Sequence, residues 1–334
     1  MKKIIWLMLT VVMIAGILAG CSGKPAENNV GGTPESTPPV SDIKGNDEQT
    51  SEESSWPRTY VDALGREVLL EKKPERVAQL FFRNLEHMFL LDEFPYAAAD
   101  VSVLNDWAIF EPYEERNNII DIGASQTPNI EMLLEIEPDL IIIFKGRYEQ
   151  FGEELEKIAP VITVDSNEND WQGALREYGL IFGKEEKAEK EIERIEKQIS
   201  DFRHELEAYN DKSFGVIMLG DKQYWAFTTR FIFDKDTGFG LNPPENYVDM
   251  STKGETVSLE SIAAMDLDYM FVANINGSYE QLWGYLEDLE DNTVWNSLKA
   301  VKNDQMYALD SSIAAGGPLG VDFGVKTIID SLTN

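Results

Sequence analysis

The chain has 334 residues, with 60 Asp plus Glu against 29 Lys plus Arg and a formal net charge of −31. So acidic a body excludes nucleic-acid binding, and anionic lipid headgroups repel it too. The single cysteine, Cys21, excludes an internal disulfide and any cysteine-ligated zinc or iron–sulfur site. Only two histidines, His87 and His204, are present, which argues against a His-rich metal centre.

In chain order, Lys2 and Lys3 precede an apolar run over 4–18, which ends in Leu18-Ala19-Gly20-Cys21. A basic start, an apolar middle and small residues before a cleavage point make residues 1–20 a secretory signal. The ending resembles the bacterial lipobox, whose cysteine is diacylated and becomes the mature N-terminus. The competing reading is a transmembrane anchor, but about 15 apolar residues fall short of the roughly 20 that span a bilayer. Loss of Lys2 and Lys3 with the leader takes the charge to −33. Residues 21–57 are rich in Pro, Gly, Ser, Thr, Asn and Glu, and bury too little apolar surface to offset their ordering entropy. That stretch reads as a flexible tether reaching on the order of 100 Å when extended.

Residues 58–183 read as a first α/β lobe. Residues 60–70 form a hairpin turning at Leu64-Gly65, and 76–82 form a buried strand. A helix over 84–91, a short strand over 96–100 and strands over 141–144 and 161–164 complete a β-α-β alternation, which implies a mostly parallel sheet. His87, inside an apolar run, reads as a packed ring.

Residues 184–209 carry Ala188, Ile192, Ile195, Ile199, Phe202 and Leu206 at spacings of 4, 3, 4, 3 and 4. The spacing predicts one α-helix with a narrow apolar stripe, about 39 Å long. Two roles fit: a strut across two lobes, or a dimerising coiled coil. The strut is favoured because the stripe lasts less than four heptads and globular sequence flanks it. A repeat flanks it as well. Asn129-Ile130-Glu131 leading to Glu137-Pro138-Asp139-Leu140-Ile141-Ile142 recurs 129 residues later as Ser258-Leu259-Glu260 leading to Asp266-Leu267-Asp268-Tyr269-Met270-Phe271. Each copy reads as a short helix, an acidic turn and a buried strand, so 210–334 form a second, similar lobe. Its strands are expected over 214–219, 269–273 and 305–309, with a closing helix over 321–332.

Several strings resemble one family. Tyr60-Val61-Asp62-Ala63-Leu64-Gly65-Arg66, then Lys73-Pro74-Glu75-Arg76-Val77, is similar to the opening of bacterial solute-binding lipoproteins for ferric siderophores, haem and cobalamin. The repeated Glu motifs, Ala159-Pro160-Val161 and the strut helix fit the same pattern, from about residue 60 to residue 332. The resemblance implies two Rossmann-like lobes with mostly parallel sheets joined by one long α-helix, limited closure, and ligand held between the lobes. It also implies no enzymatic activity and delivery of the ligand to an ABC permease driven by an ATPase. Matching glutamates in the family pair with permease arginines, which assigns docking to Glu131 and Glu260; helix-dipole compensation is the alternative for each. The long tether and the family's habit point to a Gram-positive cell.

A ferric siderophore is bulky, oxygen-rich and often anionic, so its site needs cations and flat aromatic walls. The candidates are expected in loops following strands: Arg83, Trp107, Lys145, Arg147 and Tyr148 in the first lobe, and Tyr224, Trp225 and Arg230 in the second. Against so acidic a background, cations at strand carboxyl ends stand out, Arg147 and Arg230 foremost. The loop Ala314-Ala315-Gly316-Gly317-Pro318 is either a cleft wall or an ordinary turn. Haem or cobalamin is the alternative ligand, with Tyr148 or Tyr224 available as an axial group for haem. The chain has no Gly-x-Ser-x-Gly elbow, His-Glu-x-x-His or P-loop, which weighs against an extracytoplasmic enzyme. A structural lipoprotein, binding no small molecule, is the remaining option.

Overall fold

The computed structural model describes residues 56–165, 170–228, 230–249, 254–275 and 277–333; the leader, Cys21 and the tether as far as Ser55 lie outside them. β1 (Arg58–Val61) and β2 (Glu67–Leu70) form an antiparallel hairpin, with Gly65 at φ 76° in the turn, a backbone region glycine enters without a Cβ penalty. Next come β3 (Val77–Gln79), α1 (Leu85–Leu90), β4 (Ala97–Ala98), α2 (Val103–Asp106) and β5 (Ile120–Asp121). A small antiparallel pair, β6 (Gly123–Ala124) and β7 (Thr127–Pro128), leads into α3 (Ile130–Ile136), β8 (Leu140–Phe144), α4 (Lys145–Leu155), β9 (Val161–Val164) and α5 (Trp171–Phe182). The first sheet has the order β5-β4-β3-β8-β9 and is parallel throughout.

α6 (Glu185–Leu206), extended by a 3-10 turn to Tyr209, crosses to the second sheet. There follow β10 (Phe214–Gly220), β11 (Gln223–Phe227), α7 (Arg230–Phe233), β12 (Gly254–Val257), α8 (Leu259–Met265), β13 (Tyr269–Asn274), α9 (Tyr279–Leu289), α10 (Lys299–Lys302), β14 (Met306–Ala308) and α11 (Pro318–Thr333). The order is β12-β11-β10-β13-β14. β10, β13 and β14 are parallel, while β11 and β12 add an antiparallel edge. The sequence pattern predicts no such edge, since it puts Tyr224 and Trp225 in a loop.

The repeat holds down to its hydrogen bonds. Asn129 and Ser258 cap α3 and α8, accepting from Met132 N and Ser261 N, and both helices end in a left-handed acidic residue, Glu137 (φ 46°) and Asp266 (φ 49°). Asp139 then accepts from the backbone N–H groups of Glu75 and Arg76, just before β3. Asp268 accepts from Ser213 N, just before β10. In each lobe one aspartate therefore ties the strand it opens to the neighbouring strand's start.

Strand alternation sends Ala78, Ile141, Ile143 and Val161 to an outer layer under α3 and α4, and Ile217, Leu219, Met270 and Val272 to another under α8 and α9. The inner faces of both sheets share one continuous core with α1, α5, α6 and α11. Val77, Ile142 and Ile162 of the first sheet belong to it, as do Val216, Met218 and Phe271 of the second. All six stripe residues of α6 are in this core, at most 8% exposed, which leaves no apolar seam for a coiled coil. α11 adds a second bridge: it follows the second sheet yet packs on α1 and α5 as well as α6, and its Asp322 pairs with Arg194 of α6 at 3.0 Å. No helix among the described residues is long and apolar enough to cross a membrane.

Candidate functional site

β3 and β8 are central neighbours, and both run into aromatic residues followed by a cation, Phe81-Phe82-Arg83 and Phe144-Lys145. Their register pairs Gln79 with Ile142, which brings Phe81 level with Phe144 two residues on, and the rings stack 5.1 Å apart. Phe82 meets Phe81 edge-on at 6.4 Å and Trp107 at 6.2 Å, and Trp107 stacks on buried Phe110 at 6.4 Å. Phe81, Phe82, Phe144 and Trp107 are half-buried. The row therefore presents ring faces and edges along the carboxyl ends of parallel strands, where open α/β sheets take ligands.

Two of the expected residues meet this row, and two more follow Phe144 directly in the chain. The Arg83 guanidinium lies over the Phe82 ring at 5.3 Å, and Trp107 is a member of the row itself. β8 passes straight into α4, so Lys145 and Arg147 occupy a first helical turn rather than a loop. Lys145 pairs with Asp165, whereas Arg147, half-buried, makes no hydrogen bond, ion pair or ring contact among the described residues. Tyr148 faces elsewhere: its hydroxyl donates to Glu156 at 2.6 Å, and the Arg66 guanidinium covers its ring at 4.1 Å.

In the second lobe Tyr224 and Trp225 are consecutive on β11 and take opposite faces of the sheet. Trp225 packs on the shared core, and its indole occupies the space a Cβ on Gly254 would need (2.3 Å from Nε1), where φ of 120° also demands glycine. Tyr224 packs on the outer layer, where burial, and then the charge of Glu260, raise its phenol above the ordinary value. The two rings cannot line one wall. Arg230 opens α7; its side chain lies outside the described residues.

Glu131 and Glu260 are exposed in the first turns of the equivalent helices α3 and α8, and neither has a hydrogen-bond or ion-pair partner among the described residues.

The aromatic row ends at the joint between the lobes. Asp310 accepts from Ala108 N at 3.0 Å and Ser312 Oγ from Ile109 N at 3.2 Å, directly after Trp107. Glu86, 1% exposed on α1, accepts from Gly317 N (3.2 Å) and Gly320 N (2.7 Å) at the start of α11. Burial pushes the Glu86 carboxyl up to about 7, against the pull of those N–H groups and of Arg83. Its neighbour His87 is a packed ring stacked on Tyr178 at 5.5 Å, and burial lowers its pKa to about 4, which keeps it neutral. The loop Ala314-Ala315-Gly316-Gly317-Pro318 is thus the entrance to α11, held by Glu86. Sequence reading missed Phe81, Phe82, Phe144 and Glu86. For the rings a signal existed, since an aromatic–cation pair closes each of two strands.

The chain and its fold have counterparts among known proteins. A model of the family described as "Periplasmic binding protein" matches residues 77–313. A probable siderophore-binding lipoprotein, YfiY of Bacillus subtilis, is 25% identical over 332 residues, covering 95% of this chain and 94% of that one. The petrobactin-binding protein YclQ of the same organism is 30% identical over 221 residues, 64% of this chain and 68% of its own. The YclQ crystal structure covers 84% of this chain and 100% of that one, with a TM-score of 0.66 at 25% identity. FeuA of B. subtilis complexed with ferri-bacillibactin shares the fold, with a TM-score of 0.67 at 22% identity over 83% of this chain and 98% of its own. The chain belongs to the periplasmic binding protein family.

Proposed function

We propose that this protein is an extracytoplasmic receptor that captures a ferric siderophore and hands it to the permease of an ATP-driven importer. Diacylated Cys21 holds it to the cell membrane, with residues 21–57 as the tether. The observation that carries the reading is the half-buried aromatic row of Phe144, Phe81, Phe82 and Trp107 with Arg83 and Arg147 beside it. Ring faces give a flat chelate its van der Waals contact, and the Arg147 guanidinium, which has no partner among the described residues, supplies charge-assisted hydrogen bonds to chelate oxygens. Relatives named for siderophore binding support the same ligand class. The arrangement serves binding rather than catalysis.

The test is a titration of the protein with ferric catecholate, hydroxamate and citrate complexes, haem and cobalamin, followed by tryptophan fluorescence through Trp107. Saturable quenching by one ferric class is expected. Arg147→Ala should weaken it by about 1.5–3 kcal/mol, the ordinary worth of a charged hydrogen bond. Quenching by haem or cobalamin alone would replace the siderophore with those ligands, and a folded sample that binds none of the five would overturn the receptor reading.

Glu131 and Glu260 are proposed as the permease contacts, one per lobe, because two exposed carboxylates at equivalent positions of a rigid body fix orientation as well as attraction. The double variant Glu131→Arg, Glu260→Arg should cut iron uptake by cells about tenfold or more while ligand affinity in solution stays unchanged. Uptake at the parental level would remove the docking assignment.

A further inference from the structure

We propose that Glu86 and Asp310 form a reciprocal two-point clamp that sets the angle between the lobes at segment 310–320. Each is a carboxylate from one side of the joint that receives backbone N–H groups from the other. Glu86, on α1 of the first lobe, takes Gly317 N and Gly320 N at the head of α11. Asp310, leaving β14 of the second lobe, takes Ala108 N at the head of the 3-10 turn Ala108–Phe110, and Ser312 beside it takes Ile109 N. Segment 310–320 is fastened to the second sheet as well, because Ser311 Oγ lies 3.3 Å from the Asn274 carbonyl and 2.9 Å from that of Gly277 and donates there. The same segment is therefore bolted to both lobes.

The fit at Glu86 is close enough to act as a positional stop. A Cβ on Gly317 would sit 2.7 Å from the Glu86 carboxylate, and one on Gly320 would sit 2.7 Å from the Ala315 Cβ and 3.1 Å from the Ser312 carbonyl. Glycine at both places lets the backbone reach a carboxylate that has no freedom to retreat, being buried on every side. The shared core, the apolar stripe of α6 included, resists separation of the lobes but is apolar and non-directional, so it does not specify an angle. Hydrogen bonds do. Both bolts also adjoin the aromatic row: Arg83 stands three residues before Glu86, and Trp107 is the residue before Ala108. A change of lobe angle moves the row relative to the second lobe. Glu86 and Asp310 are positioning residues, and this role holds whatever ligand the cleft takes.

The clamp is tested without ligand, by amide hydrogen exchange of the full chain carrying Glu86→Gln, Asp310→Ala, both, or Gly317→Ala. Each single variant is expected to speed exchange at its own bolt by about tenfold, the equivalent of one lost hydrogen bond. It should also speed exchange at the opposite bolt: Glu86→Gln at Ala108 and Ile109, and Asp310→Ala at Gly317 and Gly320. The double variant should fall short of the sum of the two effects. Unchanged protection of β8 and β13 amides shows that the fold survives. If acceleration stays confined to the mutated bolt while those strands remain protected, the two are independent local caps and the clamp is overturned. If Glu86→Gln loses strand protection altogether, Gly317→Ala and Asp310→Ala carry the same cross-comparison, and an absent cross-effect in both overturns it equally.

Discussion

Replacing Asp62 with alanine should cost about 3–5 kcal/mol of stability, the range for removing one partner of a buried ion pair. Its side chain is buried in the hairpin turn, and both oxygens are fully engaged. Oδ1 accepts from Leu64 N at 3.0 Å and Arg66 N at 2.9 Å. Oδ2 accepts from Arg66 Nε and Nη2 at 3.0 and 2.6 Å, and from Thr163 N and Oγ1 at 3.2 and 2.8 Å. The aspartate thus closes its own turn and stitches the hairpin to β9. Arg66 continues outward to Glu156 at 2.5 Å and over the Tyr148 ring. Alanine would orphan several donors at once, whereas Asp62→Asn, which retains an acceptor oxygen, should cost less.

The pH dependence follows from the same bonds. Burial works against the Asp62 charge, but the hydrogen bonds from Arg66 and Thr163 outweigh it, so the carboxyl titrates below the ordinary aspartate value of 3.8. An acid with a lowered folded-state pKa stabilises the protein above its unfolded value and loses that contribution as pH falls through the folded one. The gap between parent and Asp62→Ala should therefore be full at pH 7 and shrink below 3.8. Urea unfolding at neutral and acid pH measures it, and a gap below about 1 kcal/mol at pH 7 would contradict the structural account.

Phe202→Ala in α6 should destabilise the body by about 3–5 kcal/mol through the cavity it leaves. Phe202 is 1% exposed and meets Phe239 edge-to-face at 5.0 Å, with Phe231 behind at 5.3 Å. The more telling outcome is the form of the transition. Because one core runs from Val77 and Ile142 through α6 to Val216 and Phe271, both sheets should unfold together. Circular dichroism and tryptophan fluorescence should give one coincident transition, shifted as a whole. Two separated transitions, with the first lobe untouched, would show that the lobes do not share stability.

Much of this architecture was legible because it is written in local periodicity. The stripe of α6 predicted six positions, and those six are the buried ones. The 129-residue repeat carried caps, left-handed acidic residues and strand-opening aspartates, since such features depend on neighbours a few residues away. Cations at strand ends marked an edge worth attention, and Arg83, Lys145 and Arg147 lie there. By contrast, Tyr224 and Trp225, expected in a loop, stand on β11, where the two-residue period of a strand turns consecutive side chains to opposite faces. Nothing in the local pattern announces that β11 is a strand returning antiparallel to β10.

The sequence by itself determined the class of fold, the crossing helix and the family of the body. These rest on composition, on hydrophobic period and on short motifs, each of which acts over a few turns of chain. Only the tertiary structure decided which rings meet and which charges are left over. Phe81 reaches Phe144 through the register of two strands far apart in sequence, and Glu86 reaches Gly317 across 231 residues. A buried Phe and a half-buried Phe look alike in a strand, and a glutamate beside a histidine looks like surface. What separates them is whether a neighbouring element covers the side chain, and that is settled when the sheets pack on α6 and α11 and the apolar surface is removed from water.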